Sequence, residues 1–300
     1  MLEVIEMNVL SMFDGISGCR LAAEKAGLKV DNYFASEIDK YAIKCTQHNY
    51  PDTIQLGSVT QYDSWDLNKL DLITAGSPCQ DLSRIKKDGK GLQGDKSSLF
   101  FSYYNALEKF NPDYFLLENV VMNKQDESII TKLLGVEPII IDSGDFSAQN
   151  RPRLYWTNIP FEKEWEKSEL VINDILQPIE EVEEKYFYNE ELEFTVGHEK
   201  RVYGTLNKRY PNGKRRLTDT TSRVYSPYHK CGTLTAVCGG HQEKKVIQEG
   251  RIRKLTPLEY ERLQCVPENY TAMLSDSQRY KTLGNGWTID VISHILGGLK

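Results

Sequence analysis

The chain has 300 residues, of which 40% are hydrophobic and 27% charged, and its formal net charge is −6. A chain of this length buries about three quarters of the surface of its unfolded state, which allows one large core or two unequal domains. No apolar stretch is long enough to span a bilayer, and the acidic start lacks the features of a signal peptide. None of the six cysteines forms a CxxC pair, which excludes a zinc ribbon or dithiol redox motif and predicts an intracellular protein with reduced thiols.

The first half of the chain alternates strand and helix patterns. Short apolar runs bounded by turn residues predict strands, and the spacing of apolar residues between them predicts helices. In chain order, we expect strands at residues 8–13, 33–36, 53–56, 70–75, 114–117, 138–141 and 154–157, with helices at about 21–26, 39–49 and 97–110. This alternation predicts a doubly wound, mostly parallel sheet of the α/β class.

The alternation stops near Pro160, and the charge pattern changes with it. Residues 161–193 contain 12 acidic and 3 basic residues, whereas residues 198–254 contain 14 basic and 4 acidic residues. A basic segment in an acidic chain is a local signature of nucleic-acid binding, although charge runs are more often solvated surface. We therefore expect a smaller, irregular second domain over residues 161–250.

A glycine-containing turn, residues 14–18, follows the first predicted strand. Glu37 ends the second strand about twenty residues later, which is the position from which an acid binds ribose hydroxyls in nucleotide-binding sheets. The turn lacks the G-x-G-x-x-G spacing that a pyrophosphate needs, so the pattern favours an adenosyl ligand over a dinucleotide. An ordinary strand-to-helix turn would explain the same residues.

Cys79 follows the strand at residues 70–75 after the turn Gly76-Ser77-Pro78. Ligands of open α/β sheets bind beyond the carboxyl ends of the strands, and Pro78 stiffens the turn that aims the thiol there. The next segment, residues 81–96, contains three glycines and several basic residues, a composition that suits a mobile lid over an anionic substrate. The pattern favours a covalent nucleophile, whereas most free cysteines are small buried hydrophobes.

Two further motifs place charged groups at strand ends. Glu118 and Asn119 follow directly on the apolar strand at residues 114–117, where a partly desolvated acid is suited to share or donate a proton. A helix cap or a surface ion pair would also account for this acid. Arg151 and Arg153 precede the strand at residues 154–157, and residues two apart in an extended segment lie on one face. Two arginine side chains on one face are suited to bind a carbonyl oxygen or a phosphate.

Taken in chain order, these motifs resemble those of the C5-cytosine-specific DNA methyltransferases, in the spacing of the compact prokaryotic and phage enzymes. The family's cofactor, nucleophile, acid and Gln-x-Arg-x-Arg motifs resemble residues 13–18, 76–80, 118–120 and 149–153 respectively. Its carboxy-terminal motifs resemble residues 253–264 and 284–286, and residues 233–235 resemble an element of its target-recognition domain. The resemblance covers nearly the whole chain except about residues 161–225.

The resemblance implies a Rossmann-like methyltransferase domain over residues 1–160 and 251–300, with a target-recognition domain over residues 161–250. It implies S-adenosylmethionine as the methyl donor, S-adenosylhomocysteine as the product and no metal. Ser58 stands where the family usually has an aspartate that contacts the adenine amino group. The implied cofactor-binding residues are Phe13, Asp14, Gly15, Ile16, Gly18, Glu37, Ile38, Ser58, Val59, Pro78, Leu99, Asn285 and Gly286.

The resemblance also implies a role for each catalytic residue. Cys79 adds to C6 of cytosine, so that C5 can attack the methyl group. Glu118 donates a proton to N3, and Arg153 binds O2. Asn119 braces the site, and Arg151 positions Glu118 or a phosphate. The implied catalytic residues are therefore Pro78, Cys79, Glu118, Asn119, Arg151 and Arg153.

The resemblance implies that the target cytosine leaves the stacked duplex, with residues 81–96 as the lid and residues 198–245 reading the DNA. The implied DNA-binding residues are Ser83, Lys86, Lys87, Lys214, Arg215, Arg216, Arg223, Thr233 and Gly240, with Lys230 as a further phosphate contact. The expected partners are double-stranded DNA and a companion restriction endonuclease. The enzyme itself is expected to be a cytoplasmic monomer, in a bacterial cell or a phage-infected host, without membrane association.

Two other functions stay open on the sequence alone. A tRNA cytosine-C5 methyltransferase on the same scaffold would share the cysteine, glutamate and arginine set, but the basic segment with Thr233 and Leu234 resembles the DNA type. A non-catalytic DNA-binding regulator would need none of Cys79, Glu118 and Arg153, and all three are present.

Overall fold

The computed structural model describes residues 6–77, 99–189, 192–206, 219–237 and 242–300 of the chain. The chain divides into two compact units. Unit 1 comprises Met1–Asp142, Pro152–Trp165 and Ile289–Lys300, and unit 2 comprises Ser143–Arg151 and Glu166–Thr288. Residues 251–288, which the sequence analysis placed with the catalytic domain, therefore group with unit 2. The functional division into two domains stays a prediction.

The helices and strands alternate through unit 1 and are shorter in unit 2. In chain order, unit 1 contributes β1 (Glu6–Met12), α1 (Gly18–Lys25), β2 (Lys29–Ser36), α2 (Lys40–Asn49), β3 (Ile54–Gln55), β4 (Leu72–Gly76), α3 (Phe100–Phe110), β5 (Tyr114–Val120), α4 (Lys124–Leu134), β6 (Ile139–Asp142) and β7 (Pro152–Thr157). Unit 2 contributes α5 (Ile172–Ile175), β8 (Leu192–Thr195), β9 (Val202–Leu206), α6 (Asp219–Ser222), β10 (Arg223–Tyr225), β11 (Lys245–Gln248), β12 (Arg251–Lys254), α7 (Pro257–Leu263) and α8 (Asp276–Asn285), and α9 (Ile289–Leu296) belongs to unit 1.

The sheet of unit 1 has the strand order β3-β2-β1-β4-β5-β7-β6. The chain winds outward from β1 to β2 and β3, and then continues on the other side of β1 with β4 and β5. These five strands are parallel, whereas β7 is antiparallel to both β5 and β6. The predicted doubly wound, mostly parallel α/β fold is confirmed, and its reversal point between β1 and β4 is where open sheets bind ligands.

The central strands are buried on both faces. Successive residues of β4 from Leu72 to Ala75 are fully buried, although neighbours in a strand point to opposite faces. Leu10, Leu117 and Trp156 belong to the same apolar cluster, which explains why these strands are nearly continuous apolar runs in the sequence. The carboxyl ends of β1, β4 and β5 are therefore fixed in a packed layer.

The helix α4 was not predicted, although its boundaries carry the usual signals. Asn123 accepts a hydrogen bond from Asp126 N at 2.9 Å and so caps the first turn. Gly135, with φ of 71°, ends the helix in the left-handed conformation that glycine adopts without steric cost.

Unit 2 has a five-stranded sheet of order β12-β11-β10-β9-β8, in which only β10 and β11 are parallel. One small apolar cluster is built on Leu206 and Val224. The helix α7 begins with a capping box, because Thr256 Oγ1 accepts from Glu259 N at 3.3 Å and Thr256 N donates to Glu259 Oε2 at 2.8 Å. Further apolar residues of this unit, among them Leu255, Tyr260 and Leu283, are also buried.

Candidate active site

The turn after β1 is held in an unusual backbone conformation. Phe13, Gly15 and Ser17 have positive φ angles of 58°, 62° and 61°, which only glycine adopts easily. Asp14 braces the turn, because its carboxylate accepts from Ser17 Oγ at 2.8 Å and from Tyr33 Oη at 2.6 Å. Burial raises the pKa of Asp14 to about 6, although these hydrogen bonds act to lower it.

Glu37 connects this turn to the end of β2. Its Oε2 accepts from Gly15 N at 2.8 Å, and its Oε1 accepts from Ile38 N at 2.7 Å and Asp39 N at 2.8 Å. A carboxylate has about four acceptor sites, so Oε2 retains capacity for one further donor such as a ribose hydroxyl. The Ile38 side chain next to it is 77% exposed. Among the described residues, no atom beyond Gly15 and its chain neighbours lies within 4 Å of the place where a Cβ on Gly15 would stand, so this part of the turn borders open space.

Ser58 lies beside the end of β2 and has a local structural role. Ser36 Oγ donates to Gly57 O at 2.7 Å, which brings the segment after β3 next to that strand end. Ser58 Oγ accepts from Thr60 N at 3.3 Å and lies 2.9 Å from Thr60 Oγ1, so it caps the 3-10 turn Val59–Ser64. Ser36 and Gly57 are the chain neighbours of Glu37 and Ser58, and the cofactor contact of Ser58 stays a prediction.

The other predicted cofactor-binding residues that the structure describes are divided between the two units. They are Ile16, Gly18, Val59 and Leu99 in unit 1, and Asn285 and Gly286 in unit 2. One hydrogen bond joins Gly15, in the turn at residues 13–18, to Glu37. Another joins Ser36 to Gly57. The assignment of all these residues to a cofactor stays a prediction.

Glu118 and Arg153 form an ion pair at the carboxyl end of β5. Arg153 Nε lies 2.8 Å from Glu118 Oε1, and the side chains are 13% and 10% exposed respectively. The strand register explains the contact: Arg153 pairs with Val120 and Glu118 with Tyr155, so the two charged residues are diagonal neighbours on one face. Arg153 Nη1 donates to Pro152 O at 2.9 Å, and Nη2 has no acceptor among the residues that the structure describes.

Asn119 links β5 to the residues after β4. Its Nδ2 donates to Ser77 Oγ at 2.8 Å, and its Oδ1 accepts from Val120 N at 2.8 Å. Both Asn119 and Ser77 are buried, so this hydrogen bond is shielded from water. Because Gly76 pairs with Glu118 in the parallel register, the segment leading to position 79 starts beside the ion pair.

Several predicted site residues lie outside the described residues. They are Pro78, Cys79, Ser83, Lys86, Lys87, Lys214, Arg215, Arg216 and Gly240. Of the described cysteines, Cys19, Cys45 and Cys231 are buried and Cys265 is partly exposed. Burial raises the pKa of the Cys19 thiol to about 12 and that of Cys231 to about 11, so both stay protonated near neutral pH.

Arg151 does not share the surroundings of Arg153. Its Nη1 donates to Leu234 O at 2.8 Å and its Nη2 to Gly286 O at 3.1 Å, both within unit 2. Gln149 accepts from Leu234 N at 2.7 Å and donates to Gln264 Oε1 at 3.0 Å. The Gln-x-Arg-x-Arg motif is therefore split: Arg153 faces the acid of unit 1, whereas Gln149 and Arg151 hold the main chain of unit 2.

Among the described residues predicted to contact DNA, Lys230 and Thr233 are used inside unit 2. Lys230 Nζ donates to three main-chain oxygens, of Ser147, Ser168 and Leu170, at 3.1, 2.9 and 2.8 Å. An ammonium group has three N–H donors, so these bonds differ from the predicted phosphate contact. Thr233 Oγ1 donates to Asn150 O at 2.8 Å, which uses the only donor of that hydroxyl.

The densest described basic run, residues 251–254, is also paired. Arg253 is fully buried and donates to both carboxylate oxygens of Glu259, at 2.6 and 2.8 Å. Arg251 lies 2.6 Å from Glu184, and Lys254 lies 4.0 Å from Glu243. The charge count of the sequence therefore overstates the charge that a ligand would meet.

Two residues that support the site, Tyr33 and Ser77, were not predicted from the sequence. Tyr33 holds Asp14 from the middle of β2, and Ser77 accepts from Asn119. Ser77 stands within the nucleophile motif, so the motif itself was the available signal. Tyr33 is 19 positions from its partner, and no local pattern marks that contact.

Among the described residues, no group of three or more His, Cys, Asp or Glu side chains is arranged to hold a metal ion. No helix in that part of the chain is both long and apolar enough to cross a membrane.

Comparison with known proteins shows the family of the chain. The sequence model of the C-5 cytosine-specific DNA methylases matches residues 7–300. The type II methyltransferase M.NlaX of Neisseria lactamica is 30% identical over 98% of this chain and 96% of its own length. M.HhaI of Haemophilus parahaemolyticus is 28% identical, over 98% of this chain and 94% of its own.

Solved structures share the fold at lower identity. The S. pombe Dnmt2 methyltransferase matches with a TM-score of 0.69 at 18% identity, over 98% of both chains. The Entamoeba histolytica methyltransferase EhMeth matches with a TM-score of 0.71 at 19% identity, again over 98% of both chains. With the family match over nearly its whole length, the chain belongs to the C-5 cytosine-specific DNA methylase family.

Proposed function

We propose that the protein transfers a methyl group from S-adenosylmethionine to C5 of a cytosine that has been flipped out of double-stranded DNA. The Glu118–Arg153 ion pair carries this proposal. It presents a carboxyl group and a guanidinium side by side at the carboxyl end of β5, with the two charged atoms 2.8 Å apart. N3 and O2 are adjacent on the edge of a cytosine, so one side chain serves each atom.

The turn after β1 and the end of β2 fit an adenosyl group. The open space at Gly15 allows close approach, the exposed side chain of Ile38 offers an apolar surface to a base, and Glu37 Oε2 retains an acceptor for a ribose hydroxyl. Ser58 places a neutral hydroxyl on the same side. When bound there, S-adenosylmethionine supplies an electrophilic methyl group.

Cys79 is the proposed nucleophile. The chain from Ser77 to Cys79 is two residues long, a span of at most about 7 Å, and Ser77 is fixed by Asn119. The thiolate forms a bond to C6, and the electron pair of the C5–C6 double bond becomes available at C5. When the base displaces Arg153 from Glu118, the carboxylate takes up a proton from solvent. Glu118 then donates that proton to N3, and Arg153 Nη2 meets the negative charge that develops toward O2.

The same groups complete the reaction. After C5 has taken the methyl group, a base removes the proton from C5, and that electron pair restores the C5–C6 double bond. The Sγ–C6 bond breaks at the same time and releases the thiolate. Glu118 takes back the proton from N3, and the base returns to its aromatic form.

The first test measures transfer from methyl-labelled S-adenosylmethionine to unmethylated duplex DNA and, separately, to tRNA. We expect label on DNA, and bisulfite sequencing of the product should place it on cytosine. Cys79→Ala should abolish transfer and leave S-adenosylhomocysteine affinity unchanged, whereas Cys265→Ala, at the partly exposed described thiol, should retain activity. Label on tRNA alone, or turnover by Cys79→Ala, would contradict the proposal.

A trapping experiment then tests the covalent bond. A 5-fluorocytosine has no proton to lose at C5, so the Sγ–C6 bond should persist after methyl transfer. Denaturing electrophoresis should show a protein–DNA adduct with the unmodified enzyme and with Cys265→Ala. An adduct that forms without Cys79 would assign the nucleophile elsewhere.

A further inference from the structure

Some basic residues of unit 2 differ from the paired ones. Lys200, Arg201 and Lys244 have no ion-pair partner within the residues that the structure describes. Arg201 is exposed and Lys244 is half-buried. Other cations of this unit, such as Arg251 and Arg253, are neutralised by carboxylates. Of the unpaired residues, Arg201 and Lys244 are close enough for their charges to interact.

The strand register brings these residues to one region of the unit 2 sheet. Val224 pairs with Lys245 and Tyr225 with Val246 in the parallel register of β10 and β11, so Lys244 lies opposite Arg223. Arg201 O accepts from Ser226 N at 3.0 Å, which fixes the start of β9 beside the end of β10. Arg201 therefore lies beside the end of β10, whereas Arg223 starts β10 and Lys244 directly precedes β11.

Their side chains share a face. Arg223 and Tyr225 point to the same side of β10, and Lys244 Nζ lies 5.8 Å from the centre of the Tyr225 ring. Val224 points to the opposite side, into the small apolar cluster with Leu206. Arg223 and Lys244 therefore lie on the side of the sheet away from that cluster, and Arg201 is close enough to act electrostatically on both Tyr225 and Lys244.

The environment of Lys244 disfavours its charge in the free protein. Burial lowers the pKa of Lys244, and repulsion by Arg223 and Arg201 lowers it further, whereas Cys231 acts in the opposite direction. Like charges held close together are destabilising unless an anion neutralises them. An anionic ligand would remove this cost.

We propose that Arg201 and Lys244, beside Arg223, bind a backbone phosphate of double-stranded DNA. This assignment deepens the proposed function and rests on it. Arginine offers a planar set of donors and lysine a compact positive charge, and both are common phosphate ligands. Such contacts position the protein on the duplex and carry no base information, so their loss affects all sequences alike.

The test measures the affinity for an unmethylated duplex of mixed sequence at several salt concentrations. Arg201→Ala and Lys244→Ala should each lower the slope of log K against log salt by about 0.9 and weaken binding at 0.1 M salt by about eightfold. Lys244→Arg should restore both values. The matched control is Arg251→Ala, which removes the same charge from the same unit at a residue already paired with Glu184.

The outcomes separate this inference from the proposed function. If both alanine variants keep the wild-type affinity and salt slope, the phosphate site is wrong. It is also wrong if Arg251→Ala loses as much affinity and slope as they do, because that result would indicate an effect of total charge. Since Arg201 is exposed, its variant keeps the test valid even if Lys244→Ala fails to fold. Tighter binding of tRNA than of duplex by the wild type would overturn the DNA assignment. Failure of the wild type to methylate any DNA would instead refute the proposed function.

Discussion

Unit 1 and unit 2 use charged side chains in different ways. In unit 1, Glu118 and Arg153 meet at a strand end and keep 10% and 13% of their side chains exposed. In unit 2, Arg253 and Glu259 form a pair with no exposure at all. The first pair can exchange its partner for a substrate, whereas the second holds a strand to a helix. The position of a charged side chain relative to the sheet, more than its charge, therefore decides whether a substrate could reach it.

Both units bury apolar side chains, so core size does not explain this contrast. In unit 1, Leu10, Leu117 and Trp156 belong to one buried apolar cluster. In unit 2, Tyr260, Leu263 and Leu283 are buried as well. The contrast lies in what the cations of unit 2 bind, because Lys230 donates to carbonyl oxygens and Arg253 to the carboxylate of Glu259.

The largest effect should come from the Glu118–Arg153 pair. Glu118→Gln should lower kcat by about 10²- to 10⁴-fold, because the amide cannot donate a proton to N3 as a carboxylic acid does. Single-turnover methyl transfer measures the loss, and titration with S-adenosylhomocysteine should show unchanged cofactor affinity. Glu127→Gln, which alters an acid paired with Lys124 in the same unit, is the control and should retain activity. Activity of Glu118→Gln within a few-fold of wild type would mean that the pair serves only the fold.

The second prediction concerns the buried pair. Arg253→Met leaves Glu259 charged and without its bidentate partner, so the free energy of unfolding should fall by about 3–5 kcal/mol in denaturant titrations. The double variant Arg253→Met/Glu259→Gln should recover part of this loss. The salt dependence of DNA binding should not change while the variant is folded. A stable variant with a reduced salt slope would show that Arg253 contacts DNA and would remove the contrast between the units.

The third prediction concerns Asp14 and has the smallest effect. Its pKa is raised from 3.8 to about 6 in the folded protein, so the folded state binds the proton more tightly than the unfolded state does. Stability from this group is complete below about pH 4 and is lost as the pH rises through about 6, by at most about 3 kcal/mol. The difference in unfolding free energy between wild type and Asp14→Asn should change across this window.

A second substitution checks the cause. The hydrogen bond from Tyr33 acts to lower the pKa of Asp14, so Tyr33→Phe should move the window to higher pH. A difference between wild type and Asp14→Asn that is constant from pH 4 to pH 6.5 would contradict the prediction. It would mean that water reaches this turn.

The parts that the sequence predicted share a physical basis. Apolar runs of β1, β4 and β5 mark strands because a parallel sheet buries both faces, and residues that follow such runs, such as Glu37 and Glu118, lie at strand ends. Local periodicity therefore located much of the candidate site. The capping boundaries of α4 were also present in the sequence, at Asn123 and Gly135, and were overlooked.

Other features depend on contacts that no local pattern contains. The different surroundings of Arg151 and Arg153 follow from the antiparallel direction of β7 and from carbonyl groups more than 80 positions away. The hydrogen bonds of Lys230 to three carbonyl oxygens also depend on distant contacts. The formal charge of a sequence does not indicate which cations bind partners inside the fold. Side-chain availability is a property of the tertiary structure.

The reversed direction of β7 has a consequence for how this protein tolerates change. Arg153 sits at the beginning of that strand, and the connection to Glu166 leaves from its far end, after Thr157. Lengthening or replacing residues 158–165 would therefore alter the chain a full strand length away from the ion pair. Unit 2 also contains Ser143–Arg151, which ends two residues before Arg153, so an exchange at residues 158–165 keeps the guanidinium in place only if that first segment is retained.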